Sequence, residues 1–323
     1  MAPYSIAVIG VGKIARDEHL PVIGRDPRFR LAAVVSVSGA AVEGVPTFAA
    51  PSELYAALPD LEAVAICTPP NVRCGIARQA LDAGRHVLLE KPVAPTLAEM
   101  RELTVRAIAC RRVLFAPSHS QYHRPVEEAR RRLIGRRIAR LTVEWVEDVR
   151  VWHPGQDWVW EAGNFGVFDS GVNALSILAK ILPGPIFVKA AELDFPANCD
   201  TPIAASLAFF SPAAAPEAEL TARFDWRREG GQNWRVDVDV VDGPRYSLVD
   251  GGARLLVDGE LAASDVASEY EDVYARFAEL LGRGESAIDG AASQLVADAF
   301  TIGKRRTVEP FAGRRQAPTA SPK

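Results

Sequence analysis

Lysine, methionine and histidine are scarce in this chain. Only six of the 37 basic residues are lysine, and there are two methionines and five histidines. Arginine fills most basic positions. A lysine here therefore suggests that a titratable amine is wanted, and not only a positive charge. No apolar run is long enough to cross a bilayer, so no helical membrane span is expected. The net charge is −4, and neither a basic run nor a basic–aromatic interleave is present. These absences argue against a nucleic-acid partner. The four cysteines, Cys67, Cys74, Cys110 and Cys199, lack the spacing of a metal or redox centre. They read as reduced thiols in a cytoplasmic protein, and no metal site is expected. The chain opens directly on a strand pattern, so no secretion signal is expected.

What is present is enough chain for two domains, at 323 residues. Ser5 to Ile9 is a short β-branched run, followed by Gly10, Val11, Gly12, Lys13, Ile14 and Ala15. Glycines between a strand and a helix allow a tight turn and close approach of a pyrophosphate to the backbone. The following helix N-terminus offers N–H groups and partial positive charge. The second strand, Leu31 to Val35, ends at Ser36-Val37-Ser38 with neither an acidic residue nor an arginine. Ser36 and Ser38 could serve either dinucleotide, so NAD and NADP both stay open.

A helix is read over Pro51 to Leu58 and a buried strand over Leu61 to Cys67, stopping at Thr68-Pro69-Pro70-Asn71. Asn71 is expected to cap the next helix, which ends at Gly84. The strand His86 to Leu89 then stops on Glu90-Lys91-Pro92. Proline ends the ladder and leaves Lys91 at the carboxyl edge of the sheet, where open α/β sheets bind ligands. The plain alternative for Lys91 is a surface salt bridge. Helix Leu97 to Arg111 and strand Val113 to Ala116 complete an alternating pattern, which predicts a doubly wound parallel sheet over 1–120. His119, just past that strand, is placed to reach a ligand; His123 reads as structural.

From 121 to 323 strands follow one another without intervening helices, which predicts an α+β domain with a large mixed or antiparallel sheet. Two stretches interrupt it. Trp152, His153, Gln156, Trp158 and Trp160 crowd a turn-rich loop. The tryptophans either close a core or form a platform for the C–H face of a sugar, with His153 and Gln156 on hydroxyls. Gly163 to Asn173 leads into an apolar helix on which Asp169 and Asn173, four apart, share a face. Asp169 also suits the helix dipole there. Two later segments have helical spacing, and the one near 290–305 is expected to pack back toward the first domain. Arg314 to Lys323 reads as a frayed tail.

The glycine turn, Thr68-Pro69-Pro70, Ala83-Gly84-Arg85-His86 and Glu90-Lys91-Pro92 together resemble the Gfo/Idh/MocA family of NAD(P)-dependent oxidoreductases, over almost the whole chain. The resemblance implies a Rossmann-type first domain. It implies a dinucleotide, NAD or NADP, at Gly10, Gly12, Lys13, Ile14, Ser36, Thr68, Pro69, Pro70, Asn71, Glu90 and Lys91. The family's second-domain signature usually ends Asp-x-Gly-x-His, whereas here Asn173 holds the histidine position. With Gly12 to Asp17, His19-Leu20-Pro21, Glu147 to Arg150 and Trp152 to Gln156, that departure resembles the branch acting on aldopyranoses such as D-galactose and L-arabinose. This implies oxidation at C1 to the lactone. Lys91 and Asp169 would be catalytic, and His119, Glu147, Trp152, His153, Asn173 and Trp234 would hold the sugar. The alternatives are another polyol or sugar, or a non-catalytic NAD(P)-binding regulator. A homodimer or homotetramer is expected, because an open sheet face would otherwise leave apolar residues in water.

Overall fold

The computed structural model describes residues 2–313; the 314–323 segment read as a frayed tail lies outside the described residues. Tyr4–Ile9 (β1) is buried along both faces, as a parallel strand covered by helices requires. The chain turns at Gly10 into a helical segment (α1) made of a π turn, Ala15–His19, and an α turn pair, Leu20–Arg25. Phe29–Val35 (β2), Thr47–Phe48 (β3) and helix Pro51–Ala57 (α2) follow on one side. Ala63–Ile66 (β4), Pro70–Asp82 (α3), His86–Leu89 (β5), Leu97–Cys110 (α4) and Leu114–Ala116 (β6) follow on the other. All pairings are parallel. Strand order reverses at β1, and the crevice at its carboxyl end is where such sheets take ligands.

Asn71 does not cap α3. Pro69 occupies the cap position and Pro70 opens the helix, with no side-chain cap. Proline suits this first turn because its φ is already helical and it has no N–H to satisfy. Asn71 is left exposed inside the turn.

The second domain begins with Arg124–Leu133 (α5), Ile138–Val146 (β7), Val149–Trp152 (α6) and Phe168–Ile181 (α7). Strands Phe187–Pro196 (β8), Ala204–Phe210 (β9), Ala214–Asp225 (β10), Asn233–Val240 (β11), Arg245–Val249 (β12), Arg254–Val257 (β13) and Glu260–Ser264 (β14) come next. Then come Glu269–Arg283 (α8), Ala287–Ile288 (β15), Ala291–Ile302 (α9) and Lys304–Val308 (β16). The nine-stranded order is β14-β13-β12-β11-β7-β10-β9-β8-β16. It is mixed, since β7 with β10 and β8 with β16 are parallel and the other pairs antiparallel. Alternate residues of β7, β10 and β11, such as Leu141, Val143, Phe224 and Val236, join the buried faces of α7 and α9 in one core.

One expectation is extended and one changes at this level. The segment that returns to the first sheet itself is α8 with β15, ahead of the helix near 290–305. Tyr270, Val273, Tyr274, Phe277 and Leu280 of α8 pack with Ile6, Val8, Phe29 and Phe115, and β15 extends the sheet to β15-β6-β5-β4-β1-β2-β3. Helix α9 buries Leu295, Val296 and Ala299 in the second core and also meets α4 of the first domain, where Gly290 lies against Met100. The open face of the large sheet is also not apolar. It carries Arg235 against Asp237, Arg245 against Asp239, and Arg223 against Glu144 and Asp225. Among the described residues, its large exposed apolar side chains lie toward its two ends, the stacked pair Phe187 and Phe210 at one and Leu261 at the other. Hydrophobic exposure is therefore no argument for self-association there.

Candidate active site

A cavity of about 630 Å³ opens between the carboxyl edge of the first sheet and the large sheet. That is the size of a small-molecule or cofactor site. One wall comes from the first sheet: Gly12, Lys13 and Ile14 after β1, Thr68 and Pro69 after β4, Glu90 and Lys91 after β5, and His119 after β6. The other comes from the second domain: Trp145 and Glu147 at the end of β7, Trp152 and His153 at the end of α6, Trp158 beyond them, Asp169 and Asn173 on α7, and Trp234 on β11.

Lys91 and Asp169 meet across these walls. Lys91 Nζ donates to Asp169 Oδ2 at 3.1 Å and to its main-chain oxygen at 2.8 Å. Burial alone would raise the Asp169 pKa, but Lys91, His153 and Arg73 outweigh it and hold the carboxyl below its ordinary value. His153 Nε2 lies 3.9 Å from Asp169 Oδ2 and 4.0 Å from Glu147 Oε1, so one imidazole stands between two carboxylates. Glu147 is shifted the other way: burial raises its pKa against the opposing influence of His153, Ser170, Trp234 and Trp226. Its oxygens accept from the indole N–H of Trp226 at 2.9 Å and of Trp234 at 2.6 Å. Two carboxylates pushed in opposite directions within one cavity are the arrangement by which a site divides acid and base tasks.

The aromatic wall divides between lining and core. Trp145 and Trp234 stack at 5.9 Å, and Trp152 meets Trp234 at 4.7 Å. Trp158 also lines the cavity, whereas Trp160 is buried against Trp226 and Phe311. The tryptophans of this loop thus divide, with Trp160 closing a core and Trp152 and Trp158 lining the cavity. Asn173 Oδ1, Trp145 Nε1 and Thr68 Oγ1 are buried, belong to cavity-lining residues and have no hydrogen-bond partner among the described residues. Buried polar atoms of this kind call for a polar ligand or water.

Helix α8 supplies supports that local sequence could not announce. Tyr270 Oη donates to Glu90 Oε1 at 2.6 Å, and His19 Nε2 lies 2.9 Å from the same oxygen. Burial opposes ionisation of Glu90, yet His19, His119 and Tyr270 hold its pKa well below the usual range. His119, stacked on Tyr270, contacts Glu269 at 2.9 Å. Glu269 is held down at about 2, against burial, chiefly by the bond from His119. His123, read as structural, sits 2.5 Å from Asp265 and also lines the cavity. Glu269, Tyr270 and Asp265 lie more than a hundred residues from their partners, so only the returning helix reveals them. Arg73 and Trp226 were likewise not legible as site residues.

Gly10, Ser36, Pro70 and Asn71 do not line the cavity. Ser36 accepts from the Ala40 N–H and meets Ser38, shaping the turn after β2. Gly10 lies beneath the rim with φ +94°, and a Cβ there would fall 3.0 Å from the Thr68 methyl and 3.1 Å from Cys67 and Thr68 main chain. At Gly12, by contrast, a Cβ would meet nothing within 4 Å. A strained, side-chain-free turn below open space at a helix start fits a dinucleotide pyrophosphate. Gly10, Gly12, Lys13, Ile14, Thr68 and Pro69 would hold it.

The family model described as oxidoreductase family, NAD-binding Rossmann fold, matches residues 4–116. Galactose 1-dehydrogenase of Pseudomonas fluorescens is 38% identical over 315 residues, covering 96% of this chain and 99% of that protein. The crystal structure of D-galactose-1-dehydrogenase from Rhizobium etli superposes with a TM-score of 0.89 at 44% identity, covering 96% of this chain and 98% of that one. KijD10, a 3-ketoreductase from Actinomadura kijaniata solved with NADP, shares the fold at a TM-score of 0.77 and 17% identity, over 95% of this chain and 99% of that one. With the glycine turn, the Glu90-Lys91-Pro92 edge and the two-walled cavity accounted for over nearly the full length, the chain belongs to the Gfo/Idh/MocA family of oxidoreductases.

Proposed function

We propose that the protein is an NAD(P)-dependent aldose 1-dehydrogenase that oxidises C1 of D-galactose, and of sugars matching it from C1 to C4, to the aldonolactone. The observation that carries this reading is a Lys–Asp pair beside a tryptophan wall whose polar atoms, Asn173 Oδ1 and Trp145 Nε1, await a partner. The galactose 1-dehydrogenases similar to this chain along nearly its full length support it.

When bound, the nicotinamide supplies the acceptor for the C1 hydrogen and its electron pair. The chain handles the proton and the geometry. Lys91 accepts the C1 hydroxyl proton on its amine nitrogen, and the Asp169 carboxylate, held ionised by its neighbours, orients that amine and stabilises the ammonium that results. Trp152 and Trp234 cover the C–H face of the ring. His119, Glu147, His153 and Asn173 take hydroxyls, with Glu147 fixed by two indole donors. Orienting the ring in this way gives the reaction its effective concentration.

The test is reduction of NAD and NADP by a panel of aldoses. D-Galactose and L-arabinose are expected to react, since an extra hydroxymethyl in a loose pocket discriminates by only about 1–3 kcal/mol. D-Glucose, with its C4 hydroxyl inverted, is expected to react at least about tenfold more poorly, because a lost polar contact costs more. Equal rates on galactose and glucose would contradict the assigned contacts. Cofactor binding without turnover of any sugar or polyol would favour a regulator instead. A homodimer or homotetramer belongs to the same reading, and sedimentation counts the subunits.

A further inference from the structure

Arg73 has entered so far only as a charge facing Asp169, yet it is 3% exposed at the cavity edge. An unburied arginine costs little, while a buried guanidinium must be fully bonded. Here its Nη1 donates to the main-chain oxygen of Glu90 at 2.6 Å and also to that of Pro92, and its Nε and Nη2 donate to that of Thr68, Nε at 3.0 Å. Glu90 and Pro92 are the two neighbours of Lys91. We infer that Arg73 is the positioning residue of the reactive amine: its guanidinium grips the main chain on both sides of Lys91 and ties it to the Thr68 rim.

The loop needs such a grip. Pro92 has no N–H to offer, and the Lys91 amide donates to the carboxylate of its own neighbour Glu90 at 3.0 Å, not to a strand. A planar fork reaches three separated carbonyls from three nitrogens; lysine carries its three donors on one nitrogen, and glutamine has two donors on one. The guanidinium also brings fixed charge. It faces Glu90, Asp169 and the thiols of Cys67 and Cys74, and Asp169 is in turn faced by Lys91 and by His153, beyond which lies Glu147. Arg73 therefore acts on the Lys91–Asp169 pair through both place and charge.

This inference rests on the roles given above to Lys91 and Asp169. The test compares wild type with Arg73→Gln and Arg73→Lys, following kcat across pH, dinucleotide affinity by nicotinamide fluorescence, and the crystal structure of each variant. Arg73→Gln is expected to lower kcat about 100-fold, the effect of roughly an ångström of misplacement at the reacting atoms. Its acid limb should move upward, because Asp169 loses a cationic neighbour. Arg73→Lys should lower kcat at least tenfold with the acid limb unmoved. A folded Arg73→Gln variant with kcat within threefold of wild type overturns the inference. So does an equal loss in both variants with unmoved acid limbs, which would mean a purely structural role. If Arg73→Gln does not fold, Arg73→Lys decides alone, and an undiminished kcat overturns the inference. If wild type turns over no sugar, the functional reading has failed, and the variant structure decides the clamp. The Lys91 Nζ to Asp169 Oδ2 separation, 3.1 Å here, should open beyond hydrogen-bond reach. An unchanged separation counts against it.

Discussion

The two walls of the cavity are built in different ways. The first-sheet wall is made by consecutive residues at strand ends, and its shape is set largely by main chain: Gly12 on the lining, Gly10 beneath it, and the carbonyls of Thr68, Glu90 and Pro92 gripped by Arg73. The second-domain wall is made by side chains from β7, α6, α7 and β11, held by one another, as Trp226 and Trp234 hold Glu147. On the proposed function, a wall shaped by backbone would take the dinucleotide common to every turnover, and a wall of interlocked side chains would tell one sugar from another. Changes on the first wall should therefore fall on every substrate alike, and changes on the second on particular sugars.

Lys91 sits where the walls join, and its loss is expected to have the largest effect. Lys91→Met should lower kcat about 10²–10⁴-fold for galactose and arabinose equally, measured in steady state, with dinucleotide affinity nearly unchanged. Gly10→Ala should act on the cofactor alone. The φ of +94° and the main chain 3.1 Å away cost about 1–3 kcal/mol, or roughly ten- to a hundredfold in dinucleotide affinity by fluorescence titration. Sugar ranking should stay as it was; a changed ranking would break the division. Trp234→Phe should do the reverse. Losing the N–H that fixes Glu147 should raise the KM for sugar about tenfold, with dinucleotide affinity untouched.

A separate effect is on stability, and its sign follows from Asp169. The folded pKa is depressed, so the ion pair contributes stability above the ordinary aspartate range and loses it as pH falls through the folded value. In Lys91→Met, burial is no longer opposed by the amine. The variant should lose about 3 kcal/mol in denaturant unfolding at pH 7, and the deficit should shrink toward pH 3. A deficit that grew on acidification would contradict the pairing.

The same contrast explains what the sequence made legible. The turn at Gly10 and Gly12 and the stop at Glu90-Lys91-Pro92 are local events, dictated by φ and by the missing proline N–H, and a reader of residues finds them in order. Asp169 and Asn173 could be paired because helical spacing places them on one face. The role of Asn71 was misread because proline and asparagine compete for the same helix start, and the proline fitted first. Arg73, Trp226, Glu269 and Tyr270 gave no local signal, since their partners come from other elements, and His19 stood out only as part of the His19-Leu20-Pro21 motif. The helix that covers the first sheet was not singled out: α8 and α9 carry similar apolar spacing, and only the packing of Tyr274 and Phe277 on Phe29 marks α8 for that place.

The most direct measurement uses D-galactose deuterated at C1. Reduced dinucleotide recovered from wild type should carry the deuterium, with a primary isotope effect on the chemical step, and Lys91→Met should form almost none. Reduced dinucleotide free of deuterium, or a Lys91→Met variant that labels it at the wild-type rate, would contradict oxidation at C1 with Lys91 taking the proton.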